Sequence, residues 1–299
     1  MKATDLAKLV LSVLLMWTTL ALAVFDPVND DTDIFLANPN IAAERPNVLI
    51  VVDNSANWNT PFTNEKNALV QVINGLSDQY NVGLMIMSDA NIKRSGTGTN
   101  DGGYVRYHVR QMTLTNKSRL ATIVANFDVG ADKGDNNLFG LALYEAYLYF
   151  AGKSSLAGDD QSKADFDGTS DPQLTPLTGH ALPSPGTATG FPAVNSTYRS
   201  PIVDGCARNF VIYISNGPAA ENAAARDELQ GYLATLTGVN PPAQISIAPN
   251  GLQGNWADEL AKLMANADVM ATSAGIPNSS NVQNVYTYVV EVDPGTTGQ

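Results

Sequence analysis

The chain is poor in the residues that most often carry metal, redox or nucleic-acid chemistry. It has one cysteine, Cys206, in 299 residues. A disulfide within the chain is therefore excluded, and the thiol is either buried or a partner for another chain. Phe210, Val211 and Ile212 follow closely, which favours burial. Only two histidines occur. Neither His108 nor His180 has a second His or Cys at ligand spacing. Basic residues are few as well: 17 Lys and Arg face 29 Asp and Glu, for a net charge of −12 and a pI near 4.4. Nucleic acid, which is bound through Lys and Arg on phosphates, is excluded as a partner. So is an anionic bilayer surface. Long apolar runs are absent after the first residues, so no later segment reads as a membrane span. Gly96-Thr-Gly98 lacks a following Lys-Ser/Thr, so no phosphate-binding loop is read there.

What is present fits a globular protein. Hydrophobic residues make up 44% of the chain and aromatics 8%, enough for a full core. The length suits one large domain or one domain with insertions. At the start, Lys2 and Lys8 precede an apolar run from Leu9 to Ala23, and Ala21 and Ala23 are small residues at a cleavage position. This is the layout of a secretory signal peptide. Removing residues 1–23 takes away two Lys and Asp5, which moves the net charge from −12 to −13. An uncleaved anchor is the competing reading, but the run is short for a span of about 20 residues. An exported protein, outside the cytoplasm, is expected.

Residues 24–46 form an acidic lead-in punctuated by Pro39 and Pro46. Asn47 to Asp53 is a continuous apolar run bounded by turn signals, as in a strand buried on both faces. The spacing predicts a helix over 64–76, from Ala68, Leu69, Val72, Ile73 and Leu76. A second buried strand is expected over 82–87. From Tyr104 to Arg110 polar and apolar residues alternate, which predicts a strand near a sheet edge with one exposed face and an exposed His108. Helices follow over 117–127 and 138–150. Residues 154–205 are rich in Pro, Gly, Ser and Thr and read as a long surface insertion. Asp159, Asp160, Asp165, Asp167 and Asp171 crowd it, but the spacing lacks the Glu of an EF-hand, and a solvated loop is expected. A strand over 209–215, helices over 221–236 and 256–267 and a strand over 285–292 complete the pattern. Alternating strands and helices predict an α/β fold: a doubly wound, mostly parallel sheet with helices on both faces.

In such sheets ligands bind beyond the carboxyl ends of the strands. Three polar segments reach that edge: Asp53 to Asn57, Asp135 to Asn137, and Ser215 to Gly217. Here a family resemblance enters. An apolar strand ending in Asp-x-Ser-x-Ser, a loop Thr ahead of a Gly-x-Ala-Leu helix, and a later Asp-Gly pair mark von Willebrand A domains and their metal-ion-dependent adhesion site. The chain resembles that plan from about Asn47 onward. Asp53 and Ser55 match, with Asn57 at the last Ser. Gly140 to Leu143 match the helix, which puts Asn137 at the Thr position. Asn216-Gly217 stands where Asp-Gly is expected.

A narrower resemblance rests on residues 30–35 (DDTDIF), 45–58 (RPNVLIVVDNSANW), 206–218 (CARNFVIYISNGP) and 256–260 (WADEL). These are similar to the N-terminal region of PilY-type proteins, which are associated with type IV pilus tips. That likeness implies roles in pilus biogenesis and adhesion, with a pilin-like protein or a host or abiotic surface as partner. It also implies a domain over 47–299 that lacks its last helix and strand, and a downstream propeller not found in this sequence.

The departures from the motif matter physically. A hard cation wants oxygen ligands and draws most of its attraction from carboxylates. With Asn for Asp at 216, Asp53 is the one anion of the pattern, and Ser55, Asn57 and Asn137 offer neutral oxygens. Weak Mg²⁺ or Ca²⁺ binding is one expectation. The other is a polar network that bonds within itself and caps the neighbouring helices. A structural pilus-assembly scaffold without metal, and a secreted hydrolase using Ser55, are the alternative functions. The hydrolase lacks a histidine in a comparable loop apart from His180, so no enzyme is expected.

Overall fold

The computed structural model describes residues 45–54, 60–87, 102–128, 132, 138–156, 164–165, 197–203, 205–215, 223–245, 255–270 and 282–292. All of them fall in the unit Glu44–Gln299. The fold is α/β, around a five-stranded mixed sheet. Its strands are β1 (Asn47–Val52), β2 (Asn81–Met87), β3 (Gly103–Gln111), β4 (Asn209–Ser215) and β5 (Val285–Glu291), in the spatial order β3-β2-β1-β4-β5. β1 runs parallel to β2 and β4, and β4 parallel to β5, while β2 and β3 are antiparallel. Parallel neighbours bring the carboxyl ends of β1, β2, β4 and β5 to one rim.

Sequence sets the register at both ends of the central strands. β1 is an apolar run with Leu49, Val51 and Val52 at most 1% exposed, as a strand covered on both faces requires. At the amino end, Asn81, Asn47 and Asn209 are in-register partners. Asn81 donates from Nδ2 to Asn47 Oδ1 at 2.9 Å, and Asn47 donates to Asn209 Oδ1 at 3.0 Å. A slip by one residue would break this ladder and turn the apolar set outward. Within β2, Gly83 sits at a shift in the β2–β3 register. A Cβ there would lie 2.6 Å from Val109 Cγ2 and 2.7 Å from the Val109 nitrogen, so the irregularity needs glycine.

Five helices are described: α1 (Thr60–Gly75), α2 (Leu114–Ala125), α3 (Phe139–Phe150), α4 (Ala223–Thr237) and α5 (Ala257–Asn266). α1 packs with α2; α3 packs with β2, β3, α4 and α5; α5 packs with β5. Phe139 of α3 stacks on Tyr213 of β4, ring centroids 3.9 Å apart. α2 begins three residues before the expected start, because the Thr113 side chain accepts the Asn116 N–H at 3.2 Å and caps the first turn. No helix among the described residues is long and apolar enough to cross a membrane.

The inward stripe of α1 differs from the expected one. Phe62, Glu65, Leu69 and Ile73 are buried, whereas Ala68 is exposed and Val72 is 57% exposed. The spacing of three and four residues is helical, but a carboxylic acid occupies one of its positions.

Three further expectations are corrected. β3 does lie at the sheet edge, yet Tyr104, Arg106 and His108 are all buried. Asp165, expected in a solvated loop, is fully buried against this strand. Its N–H donates to the Val105 carbonyl at 2.8 Å, and its Oδ2 accepts the His108 N–H at 2.6 Å and pairs with Arg110. Tyr149 of α3 covers the same edge: its hydroxyl meets His108 Nδ1 at 2.8 Å and accepts the Val109 N–H at 2.9 Å. Part of the insertion thus seals the edge that the local alternation left open. The insertion's ends are pinned as well. Tyr198 donates its N–H to the Lys153 carbonyl and its hydroxyl to Glu145, and Tyr198 and Ile202 are buried. Cys206 is exposed, not buried, because it lies in the turn that precedes β4.

Candidate functional site

Asp53 is the residue directly after β1, and it is completely buried. Its N–H extends the parallel ladder by donating to the Ile214 carbonyl at 2.9 Å. Its carboxylate is thereby aligned with the end of β4, and the Ser215 hydroxyl donates to Asp53 Oδ2 at 3.4 Å. Ser215 is in turn fixed by β5, since its carbonyl accepts the Val292 N–H at 2.9 Å. Asp53 and Ser215 are 162 positions apart in sequence, and the parallel register alone brings them together.

Asn54, the next residue, is 1% exposed and ties the rim to two other segments. Its amide bonds both backbone groups of Met87 at the end of β2 and donates to the Asp132 carbonyl at 2.7 Å. Asp132 in turn accepts the Asp128 N–H on Oδ2 at 2.8 Å and donates its own N–H to the Asp128 carbonyl at 2.9 Å. The segment between α2 and α3 is therefore fastened to the end of β1. Of the expected site residues, Asp53 lies at the rim. Ser55, Asn57, Asn137 and Asn216 lie outside the described residues.

The sequence pattern alone does not single out Glu65. It is 4% exposed on the inward stripe of α1, and both carboxyl oxygens lack a hydrogen-bond partner among the described residues. Burial, with the Asp53 charge adding to it, raises its pKa from 4.5 to about 8. A signal for it does exist: an acid three residues after Phe62 and four before Leu69 falls on the helix's buried stripe. Asn54 and Asp132 escape sequence reasoning because their role is to bond backbone groups, which no spacing announces.

Among the described residues, no three His, Cys, Asp or Glu side chains cluster as a metal cage. At this rim the described residues offer the side-chain oxygens of Asp53 and Ser215, one acid and one hydroxyl. That set suits a hard ion and not a soft one.

A concavity of about 400 Å³ lies between α4 and α5 and is lined in part by Leu233, Val239, Ile245, Leu263, Glu259 and Lys262. Burial first, and then a hydrogen bond with Asp258, push Glu259 up to about 7. This groove holds none of the residues that the sequence pattern singles out.

No family model matches the chain, and no curated protein does. Six solved chains match. One of them is the proximal thread matrix protein 1 of the mussel byssus, at 10% identity and a TM-score of 0.30, over 65% of this chain. The match spans 35% of that protein's chain.

Proposed function

We propose that the chain is an exported adhesion or type IV pilus biogenesis module that binds a protein partner or a surface and is not a catalyst. In this reading residues 1–23 are a signal peptide, residues 24–46 an acidic lead-in and residues 47–299 a von Willebrand A-type domain. Its sheet is doubly wound, with α1 and α2 on one face and α3, α4 and α5 on the other. The binding face is the rim at the ends of β1 and β4. A degenerate adhesion site there holds Mg²⁺ or Ca²⁺ weakly, through Asp53 with Ser55, Asn57, Asn137 and Asn216 around it.

The observation that carries the reading is the meeting of Asp53 and Ser215 at the carboxyl edge of a parallel sheet. Ligands of open α/β sheets bind at that edge. The motif residues quoted above start from the same Asp53. A binding role also agrees with the placement of His108, the histidine among the described residues. Its ring, on β3, is bonded to the Tyr149 hydroxyl of α3.

A metal-free assembly scaffold is the second reading. The observation in its favour is that Asn54 bonds Met87 and Asp132 in the manner of a structural lock. A deletion strain complemented with Asp53→Ala separates the two. Pili that persist while attachment drops support the adhesive reading. Pili that vanish with the whole gene but are restored in full, with normal attachment, by Asp53→Ala support the scaffold and remove the rim site.

A further inference from the structure

β5 stands at one side of the sheet, next to β4, and no described strand pairs with its other side. Parallel strands are ordinarily covered on both faces, yet β5 is largely bare. Of the eleven large hydrophobic residues exposed among the described ones, six lie between positions 282 and 292: Val282, Tyr286, Tyr288, Val289, Val290 and Val292. Tyr288 is 57% exposed and Val289 56%. Consecutive residues of a strand point to opposite faces, so both faces of β5 are open at its middle. At about 200 Å² for a whole aromatic side chain and less for a valine, the six expose on the order of 500 Å². A standard interface takes about 800 Å² from each partner, so the patch is of the size that a weak but specific contact uses. Edge strands are commonly blunted by Lys, Pro or a bulge. β5 reads VYTYVVE, and its register with β4 runs unbroken from Val285 to Glu291.

The free backbone groups of this edge have a definite pattern. Val292 donates its N–H to the Ser215 carbonyl of β4 at 2.9 Å. Backbone groups alternate sides along a strand. Tyr286, Tyr288 and Val290 thus turn theirs toward β4, while Thr287, Val289 and Glu291 turn theirs to the open edge. The Phe210 ring of β4 lies 6.2 Å from the Tyr286 ring and 6.2 Å from the Tyr288 ring, which keeps the two tyrosines on one face.

We propose that two copies of the chain pair through this edge, β5 against β5 and antiparallel, so that their sheets become one. The strand is complementary to itself. With a two-fold axis at Tyr288, Thr287 of one copy faces Val289 of the other, and both carry outward backbone groups, as a hydrogen-bonded pair requires. Tyr286 faces Val290 at a closer, non-hydrogen-bonded position, where aromatic and β-branched side chains pair favourably. Glu291 faces Val285, so no like charges are opposed. A contact of this isologous kind closes as a dimer. It uses the last strand and not the rim, so it goes beyond the adhesive reading, and neither depends on the other.

The test is analytical ultracentrifugation of the full chain, with a reductant present because Cys206 is exposed. A reversible monomer–dimer equilibrium is expected, with a Kd on the order of 100 μM, beyond the weak end of standard interfaces. Raising NaCl from about 0.05 to 0.5 M should strengthen it by screening, because each copy carries a net charge of −12. Tyr288→Lys and Val289→Pro should each weaken it at least about tenfold. Val289→Pro removes an outward N–H and no bond of the β4 ladder, a place where an edge strand tolerates proline, so its Tm should stay near that of the unsubstituted chain. Hydrogen exchange on the unsubstituted chain needs no variant to fold. The Thr287 and Val289 amides should exchange more slowly as concentration rises, and those of Tyr286 and Tyr288 should not change. A chain that stays monomeric to about 1 mM, ten times the expected Kd, overturns the proposal. So does a dimer indifferent to both substitutions, one that salt weakens, or one that leaves the Thr287 and Val289 amides unprotected.

Discussion

Asn54 holds Met87 at two points: its Nδ2 donates to the Met87 carbonyl at 3.1 Å, and its Oδ1 accepts the Met87 N–H at 2.9 Å. The side chain acts as one more residue of strand, so that β1 and β2 stay joined just past their last ladder pair, Val52 and Ile86. The same amide reaches Asp132 at 2.7 Å. The rim at the end of β1 is thus braced by a buried residue.

Asn54→Ala would leave the Met87 N–H and two buried carbonyls without this partner. Each buried polar group left unpaired costs roughly 1–3 kcal/mol, so a loss of about 2–4 kcal/mol is expected. Asn54→Asp should also destabilise, because a carboxylate would face the two carbonyls that the amide now donates to. Urea unfolding midpoints, read at constant m-value, check both.

Glu65 makes stability depend on pH in a direction opposite to that of most acids. Its folded pKa, near 8, lies above its ordinary value of 4.5. Between those two pH values the folded state keeps a proton that the unfolded chain has released, so stability falls as pH rises through the window and levels off above it. One proton held over one pH unit is worth about 1.4 kcal/mol, so the whole loss across the window is on the order of a few kcal/mol. Glu65→Gln should flatten the curve across this window. Unfolding in EDTA from about pH 5 to pH 9, which brackets most of the window, measures the slope. A curve equally steep in the variant would place the effect on another group.

Asp165 is a buried acid that pairs with Arg110 and accepts the His108 N–H. Replacing it by Ala leaves a guanidinium at 10% exposure without that carboxylate. Breaking a buried pair on one side costs about 3–5 kcal/mol, and the expected result is a lowered Tm together with faster amide exchange at His108 and Val109. Hydrogen exchange resolved at those two residues checks it. Protection equal to that of the unsubstituted chain would mean that Tyr149 alone seals the edge.

The strands and the Asp53 rim are legible in the sequence because they depend on local pattern. The apolar run ending at Val52 is a buried strand, the run ending at Ser215 is a strand with every second residue buried, and a parallel sheet gathers such ends. Three things are not legible, each for a physical reason. β3 reads as half-exposed because the groups that cover it, Asp165 and Tyr149, lie some 40 to 57 residues away. The inward face of α1 is rotated from the expected one, because Val72 is apolar but exposed while Glu65 is acidic but buried. Cys206 takes its exposure from a turn, and apolar neighbours further along the chain do not govern it.

Mn²⁺ soaked into crystals of the chain, with anomalous scattering recorded at its absorption edge, tests the cation site most directly. The account predicts one strong peak within coordination distance, about 2.0–2.6 Å, of a carboxyl oxygen of Asp53. A map with no peak there would contradict it.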